Sequence, residues 1–433
     1  MSARSPLPVS DEQIRVALSR RPDTEQMADD LDVIVATVER TRQRSRLLAR
    51  WAAGGTRTRS VGVLLVVVAL LLMLGVLVVA FVGSRHRLPP PFGVAKPGLI
   101  AFDLGGHLFV ANPDGTGRQQ ITSGQVLDGR AKWSPDGTTI AYESRMADRS
   151  TALIAVDAAG RHPIVLADHL AIIGDLTWSP DSRRVAFGAR LVGTEVAHIY
   201  IADADRPGAI ELGGPDVNGW EPAWSPDGNQ IVFKRIYPSL QPPSFADGAK
   251  GHQGGAPDAL WLIGPDGSNL HRLTATTGAF DALWNTVWSP DGKRLAFLAA
   301  GLDGRFDVYV INADGTDERN ISNSPEDEYW PSWSPDGTRI AFPRMSLTIN
   351  NAGSLVVVDP DGSNPIVLKG PLVNSNAAVW SPDGTRLLGY GKNPDTSIDA
   401  NSGIAVFDPS GRAPPILIPA DNFGDASWQR LAP

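Results

Sequence analysis

Six near-identical pentapeptides punctuate the chain. Trp133-Ser134-Pro135-Asp136-Gly137 is followed by matching runs that open at Trp178, Trp224, Trp288, Trp333 and Trp380; only the second departs, ending in Ser182 instead of Gly. The Trp-to-Trp spacings are 45, 46, 64, 45 and 47 residues. A fixed period in that range marks a repeat architecture, whose units bury their apolar faces only against one another. The period therefore assigns most of the 433 residues to a scaffold.

The same short apolar strings recur between motifs. A strand such as Thr139-Ile140-Ala141-Tyr142 or Arg339-Ile340-Ala341-Phe342 comes first, then a longer run such as Val308-Tyr309-Val310-Ile311. A tight turn of the Asn312-Ala313-Asp314-Gly315 kind follows, and then a third strand of the Arg319-Asn320-Ile321-Ser322 kind. Short strands with turn signals every 8–12 residues read as all-β. About four of them per ~46 residues is the content of a propeller blade. The middle strands are apolar on both faces, which suits sheets packed on either side.

The pentapeptide is expected to be a turn device. Proline presets φ, Ser and Asp bond nearby backbone N–H groups, and Gly supplies a positive φ. Its Asp in every copy speaks for structure, because an active site needs one constellation and a turn is needed in every unit. The Asp-x-Asp-Gly-like turns lack the alternating ligand set and distal Glu of a calcium loop.

The second-strand string occurs seven times, at Ile100, Ile140, Val185, Ile231, Leu295, Ile340 and Leu387. The first copy has no Trp motif before it, while Asp425-Ala426-Ser427-Trp428 has the pre-Trp strand and no turn after it. The two halves complete each other. We expect an all-β, seven-bladed β-propeller over residues 98–433, with the strand at Trp428 closing the blade begun at Leu99 and removing an exposed sheet edge.

Val61 to Val82 is a run of twenty-two residues without a charge. At ~1.5 Å rise per residue such a helix is roughly 33 Å long, enough to cross a bilayer. It lies too far from Met1 and is too long for a signal-peptide core. Residues 40–60 hold seven Arg and no acid, against Arg85, Arg87 and Lys96 in the twenty residues beyond the span. The positive-inside rule then puts residues 1–60 in the cytoplasm and the repeats outside, on a single-pass cytoplasmic-membrane anchor at 61–82. Residues 83–97, with Pro89, Pro90 and Pro91, read as an extended linker.

In the cytoplasmic piece, Ser10 with Gln13 and Asp23 with Gln26 fit capping boxes, and Met27, Leu31, Ile34 and Val38 form one apolar stripe. Two readings stay open for residues 10–50: a juxtamembrane helix, or a docking helix for a cytoplasmic partner.

Net charge is −8 for the chain, yet residues 1–60 carry eleven Arg against eight acids, so the excess of acid sits after residue 82. An acidic repeat domain disfavours nucleic acid. No cysteine occurs, which excludes thiolate metal sites and a Cys nucleophile. The seven histidines are scattered without metal spacing, so neither a metal nor another cofactor is expected.

The WSPDG-x-x-IAF string with its following Asp-Gly turn resembles the TolB-type propeller repeats, over about residues 98–431. The resemblance implies an interaction scaffold of the cell envelope. Similar repeats also stand beside the hydrolase domain of prolyl-oligopeptidase-like enzymes. No Gly-x-Ser-x-Gly elbow occurs in this chain and nothing follows Pro433, so the chain is expected not to be an enzyme.

Function is then sought where the period breaks. The long spacing after Trp224 holds an extra segment near 236–257, with Tyr237 and Phe245, expected to join strands two and three of one blade. On the same face the pre-Trp loops vary: Asp175, Trp220, Glu221, Asp281, Trp284, Asn285, Glu328, Tyr329, Trp330, Asn376 and Asp425. Aromatics interleaved with amides and acids suit a protein or peptide partner from the envelope. A sensor for a small ligand or glycan is the alternative, and loop capping or blade packing is the bland reading for each residue taken singly.

Overall fold

The computed structural model describes residues 93–433 apart from 124–126, 195, 215–216, 236–258, 275–281, 301–303, 346–352, 369, 371–377, 393–401, 420–422 and 432–433. The expected span at 61–82 and the cytoplasmic segment lie outside the described residues. Among the described residues no helix is long and apolar enough to cross a membrane.

Every described element is a strand, and every pairing is antiparallel. Six sheets form. The first takes Phe423–Leu431 as its inner strand, then Lys96–Leu104, His107–Ala111 and Gln119–Gln120. The second runs without a break from Leu127–Trp133 through Thr139–Arg145, Thr151–Asp157, Ile164–Trp178, Arg184–Leu191 and His198–Asp203 to Ala209–Glu211. The third, fourth and sixth begin at Gly219–Trp224, Ala282–Trp288 and Ala378–Trp380, each followed by three strands in sequence order. In the fifth, two short pieces, Asp327–Glu328 and Ser332–Trp333, share the inner position against Ile340–Met345.

The seven-stranded sheet is two four-stranded patterns sharing one strand. Ile164–Trp178 is 15 residues long. Its first half pairs with Thr151–Asp157 and its second half with Arg184–Leu191. It is therefore the outer strand of one pattern and the inner strand of the next.

Seven apolar clusters of buried residues join neighbouring patterns. Leu260 and Leu262 of the third sheet meet Leu283 and Phe297 of the fourth, and Leu388 and Val406 of the sixth meet Ile100 and Trp428 of the first. The series thus returns to its start. Second strands are buried on both faces: Ile231, Val232 and Phe233 are wholly inaccessible, as the unalternating apolar strings require.

The Trp that opens each motif ends an inner strand, and three of the six pin it to the preceding inner strand, while Nε1 of Trp133, Trp224 and Trp333 is buried without a hydrogen-bond partner among the described residues. Indole Nε1 of Trp178 donates to the Lys132 carbonyl at 3.0 Å, that of Trp288 to Ala223 at 3.1 Å, and that of Trp380 to Ser332 at 3.2 Å. The acceptor is always the residue preceding the previous Trp. Trp428 follows the same rule toward Val379 at 3.1 Å, although no turn follows it. The stripped last copy keeps the buried indole because the seam still needs its packing.

In all six turns the Ser hydroxyl donates to the Asp carboxylate at 2.6 Å. The last position takes φ between 61° and 75°. Gly does this without a steric cost, whereas Ser182 adopts it at 61°. Its hydroxyl accepts the Asp136 N–H of the preceding turn at 3.0 Å, a bond that Gly could not make.

Candidate functional site

Each inner strand has two ends. The pentapeptide turn closes one, the turn end; the other, about five residues upstream at ~3.3 Å per residue, is the loop end. Arg235 pairs with both Gly219 and Ala259, so the segment 236–258 leaves and rejoins the fold at the loop end, between paired second and third strands. Tyr237 and Phe245 lie in that segment, outside the described residues, as do Asp281 and Asn376.

Five of the remaining candidates fall into one register, which Arg130, not singled out in the sequence, also shares. Arg130, Asp175, Glu221, Asn285, Trp330 and Asp425 each stand three residues before the Trp of their own strand. In every case the pairing with the second strand is interrupted there. Register shifts lie between Gly129 and Lys132, Ile173 and Leu176, Trp220 and Ala223, and Trp284 and Val287. Asp425 lies in the corresponding irregularity of Phe423–Leu431, and Trp330 in the gap between the two pieces of the fifth sheet. What the sequence presents as variable loops are bulges within the inner strands.

Four of these residues hold a left-handed backbone: Arg130 and Glu221 at φ 54°, Asn285 at 51° and Trp330 at 33°. A positive φ costs an L-residue about 1–2 kcal/mol, and for a bulky side chain it is an outlier. Bulges re-aim side chains and gather beside binding and active sites. Here the same strained device repeats around the loop end with a different side chain each time.

Neighbouring bulges touch. The Glu221 carboxylate accepts the Asn285 backbone N–H at 2.8 Å across the seam between the third and fourth sheets. Arg130 pairs with Glu143 at 3.3 Å. The residue just before each bulge packs backwards. A Cβ on Gly174 would stand 2.7 Å from the Trp220 ring, so that glycine makes room for the indole. Trp284 lies edge-on to Phe306 at 5.3 Å between centroids, with the Lys234 ammonium 4.9 Å from its ring. Phe306 meets Tyr329 at 5.7 Å, and Tyr329 meets Trp330 at 5.3 Å. An aromatic chain therefore runs along the loop end from the fourth sheet to the fifth, capped by Lys234 of the third, and Trp330 is its exposed terminus at 37 %. Each such pair contributes ~0.5–1.5 kcal/mol beyond burial.

Glu328 lies beneath this corner and is fully buried. One carboxylate oxygen accepts from Ser324 at 2.5 Å and Arg344 at 2.7 Å; the other has no hydrogen-bond partner among the described residues. Burial pushes its pKa up, against the downward pull of Ser324 and Arg344. Glu328 is thus a support for the corner and does not itself face a ligand. Tyr329 is pushed up to about 12 by burial and by the charges of Asp327 and Glu328, which keeps its hydroxyl protonated. Among the described residues no group of His, Asp and Glu could hold a metal ion.

Sequence reasoning missed Lys234, Phe306 and Arg344. A signal existed for the two cations. Lys234 stands ten residues after its Trp, where other copies have Glu143, Gly188, Leu298, Pro343 and Tyr390, so it is the one cation at that register.

No family model matches the chain. A curated relative, dipeptidyl-peptidase 5 of Porphyromonas endodontalis, is 32 % identical over 101 residues, 23 % of this chain and 12 % of the relative. The match spans about an eighth of that relative's length. Among solved structures, oligogalacturonate lyase from Vibrio parahaemolyticus aligns with a TM-score of 0.53 at 14 % identity, over 75 % of this chain and 94 % of that chain. The β-propeller domain of the Trilobed protease from Pyrococcus furiosus aligns with 0.50 at 14 % identity, over 78 % and 98 %. TolB from Acinetobacter baumannii aligns with 0.48 at 18 % identity, over 67 % and 66 %.

The circular series of sheets, with the likeness to the lyase and to the Trilobed protease domain, defines the fold: the chain is a β-propeller. Within that fold, its Trp-Ser-Pro-Asp-Gly repeats resemble those of TolB-type propellers.

One expectation is corrected. The chain was expected not to be an enzyme, on the absence of a hydrolase domain and a nucleophile elbow. The curated relative is a peptidase, and the lyase matches along nearly its whole chain. An enzyme of this fold therefore needs no large extra domain, and a missing elbow excludes only one chemistry.

Proposed function

We propose that this chain is a seven-bladed propeller, held extracytoplasmically by a single-pass anchor at residues 61–82, that binds an envelope protein or peptide at its loop end. The seven seams of buried residues support the blade count, and the uncharged run with its flanking arginines supports the anchor and its orientation. Binding rests chiefly on one observation, the bulge repeated at one register with side chains that change from Arg to Asp, Glu, Asn and Trp. A scaffold repeats what it needs everywhere and varies what contacts a partner. Asp175, Glu221, Asn285, Trp330 and Asp425 occupy those positions, with Trp220, Trp284, Tyr329 and the buried Glu328 behind them. Tyr237, Phe245, Asp281 and Asn376 are assigned to the same end by chain position. Inward reporting through residues 10–50 belongs to the same reading.

The test is crosslinking capture from membranes with the full chain. Trp330→Ala and Asp175→Ala should each weaken capture at least tenfold, while Lys293→Ala at the turn end should leave it unchanged. Equal capture by loop-end and turn-end variants would remove the site from this end. Binding of glycans on an array without any protein capture would transfer the aromatic chain to a saccharide ligand. Replacing 236–258 by two glycines between the paired Arg235 and Ala259 reads the contribution of the long segment.

A further inference from the structure

Gly93, Val94 and Ala95 precede the first strand and lie against the turn end. The Gly93 carbonyl accepts from Arg430 Nη2 at 2.6 Å, which ties it to the first sheet. The Ala95 N–H donates to the Pro382 carbonyl at 2.7 Å, inside the turn of the sixth sheet. A Cβ on Gly93 would stand 3.8 Å from the Pro335 carbonyl, in the turn of the fifth. Three residues thus bridge three sheets.

The tie continues on the other side. Gln429 accepts the Leu99 N–H at 3.0 Å and donates to the Gly137 carbonyl at 2.7 Å, in the first turn of the second sheet. Gly137 is pressed so closely that a Cβ there would lie 2.1 Å from the Arg430 carbonyl. Residues 429–430 therefore hold the incoming segment with one side chain and the next sheet with the other. The Arg430 guanidinium is largely buried, and burial lowers its pKa to about 10. It still carries its charge at neutral pH, so a buried charge is committed to this place.

The location matters because this seam is unlike the rest. Among the described residues, the first sheet alone pairs strands more than 300 positions apart, Lys96 with Leu431 and Ile100 with Trp428. Elsewhere the inner strand and its partner are joined by a turn of five or six residues. The first sheet has no such connection, so its inner strand is held by pairing and by whatever clasps it.

We propose that Gly93–Ala95 is a latch on the closure seam: lifting these three residues off the turn end frees the strand Phe423–Leu431 while the other sheets stay paired. The segment through which the chain enters the propeller is then also the one that governs whether the ring is closed.

Hydrogen–deuterium exchange on the full chain tests this with Arg430→Ala and Ala95→Pro. The first removes the donor to Gly93; the second removes the N–H that the Pro382 carbonyl accepts and sets a ring carbon against that carbonyl. In each variant, amides in Lys96–Leu104 and Phe423–Leu431 should exchange at least tenfold faster, with Arg294–Ala300 and Ile340–Met345 unchanged. Unaltered exchange in the first sheet would overturn the latch. So would acceleration of equal size in every sheet, which marks a general loss of stability. Should Arg430→Ala fail to fold, Ala95→Pro, which deletes no side-chain contact, decides alone.

Discussion

The serine of each turn is used twice. Ser289, wholly buried, donates to Asp291 and accepts the Arg294 N–H at 2.9 Å, so its hydroxyl joins the carboxylate to the start of the second strand. Ser289→Ala strands that N–H and should cost about 1–3 kcal/mol in urea unfolding. The carboxylates carry a pH signature. Burial raises the pKa of Asp181, Asp291, Asp336 and Asp383, but the hydroxyl and N–H bonds outweigh it and leave each below the ordinary value. A depressed folded pKa means stabilisation present above about pH 4. It is lost as pH falls through the lowered values. Melting temperature should therefore drop steeply below pH 4, and less steeply in Ser289→Ala. The glycines of the turns are not equivalent. At Gly292 a Cβ would meet Pro226 at an ordinary 3.6 Å, so Gly292→Ala should cost only about 1 kcal/mol, for its φ of 70°. Gly137→Ala drives a Cβ into the Arg430 carbonyl and should cost roughly 3 kcal/mol or more in the same measurement. These turn roles could be read from sequence because they are local. The reason for Ser182 could not, since its partner lies 46 residues away.

Strands explain what the period conceals. Asp175, Glu221, Asn285, Trp330 and Asp425 vary where the scaffold repeats, and their common distance from Trp is countable in the sequence. That they sit in bulges was not, because a bulge is a property of pairing between two strands and leaves no fixed residue type. Nor could the sequence show that Trp220 rests on Gly174 of another sheet, or that Glu328 is buried under the corner it was expected to present. The fusion of two patterns through Ile164–Trp178 likewise has no local mark. The indole bonds give a test at this level. Trp428→Phe keeps the buried ring and loses the bond to Val379, so it should cost about 1 kcal/mol. Trp428→Ala also empties a core position among Ile100, Leu388 and Val406 and should cost roughly 3–5 kcal/mol. Equal losses in calorimetry would deny the ring its packing role.

For the molecule, the sequence yielded the fold class, the strand that closes it and the end of the fold that carries the long segment. All three follow from a period counted in register. It did not exclude catalysis, as the lyase and peptidase likenesses show, because chemistry depends on a few side chains and not on the repeat. The closing strand also has a consequence in time. Leu99 and Gln429, which share a hydrogen bond, are 330 residues apart. At ~5–20 residues per second, a ribosome needs roughly 15–65 s between making one and making the other. For that interval the edge of Lys96–Leu104 has no inner partner, and Ile100 and Phe102, buried in the finished protein, lack the strand that covers them. The first sheet to be made is the last to be completed, so this propeller spends its synthesis with an open, apolar edge.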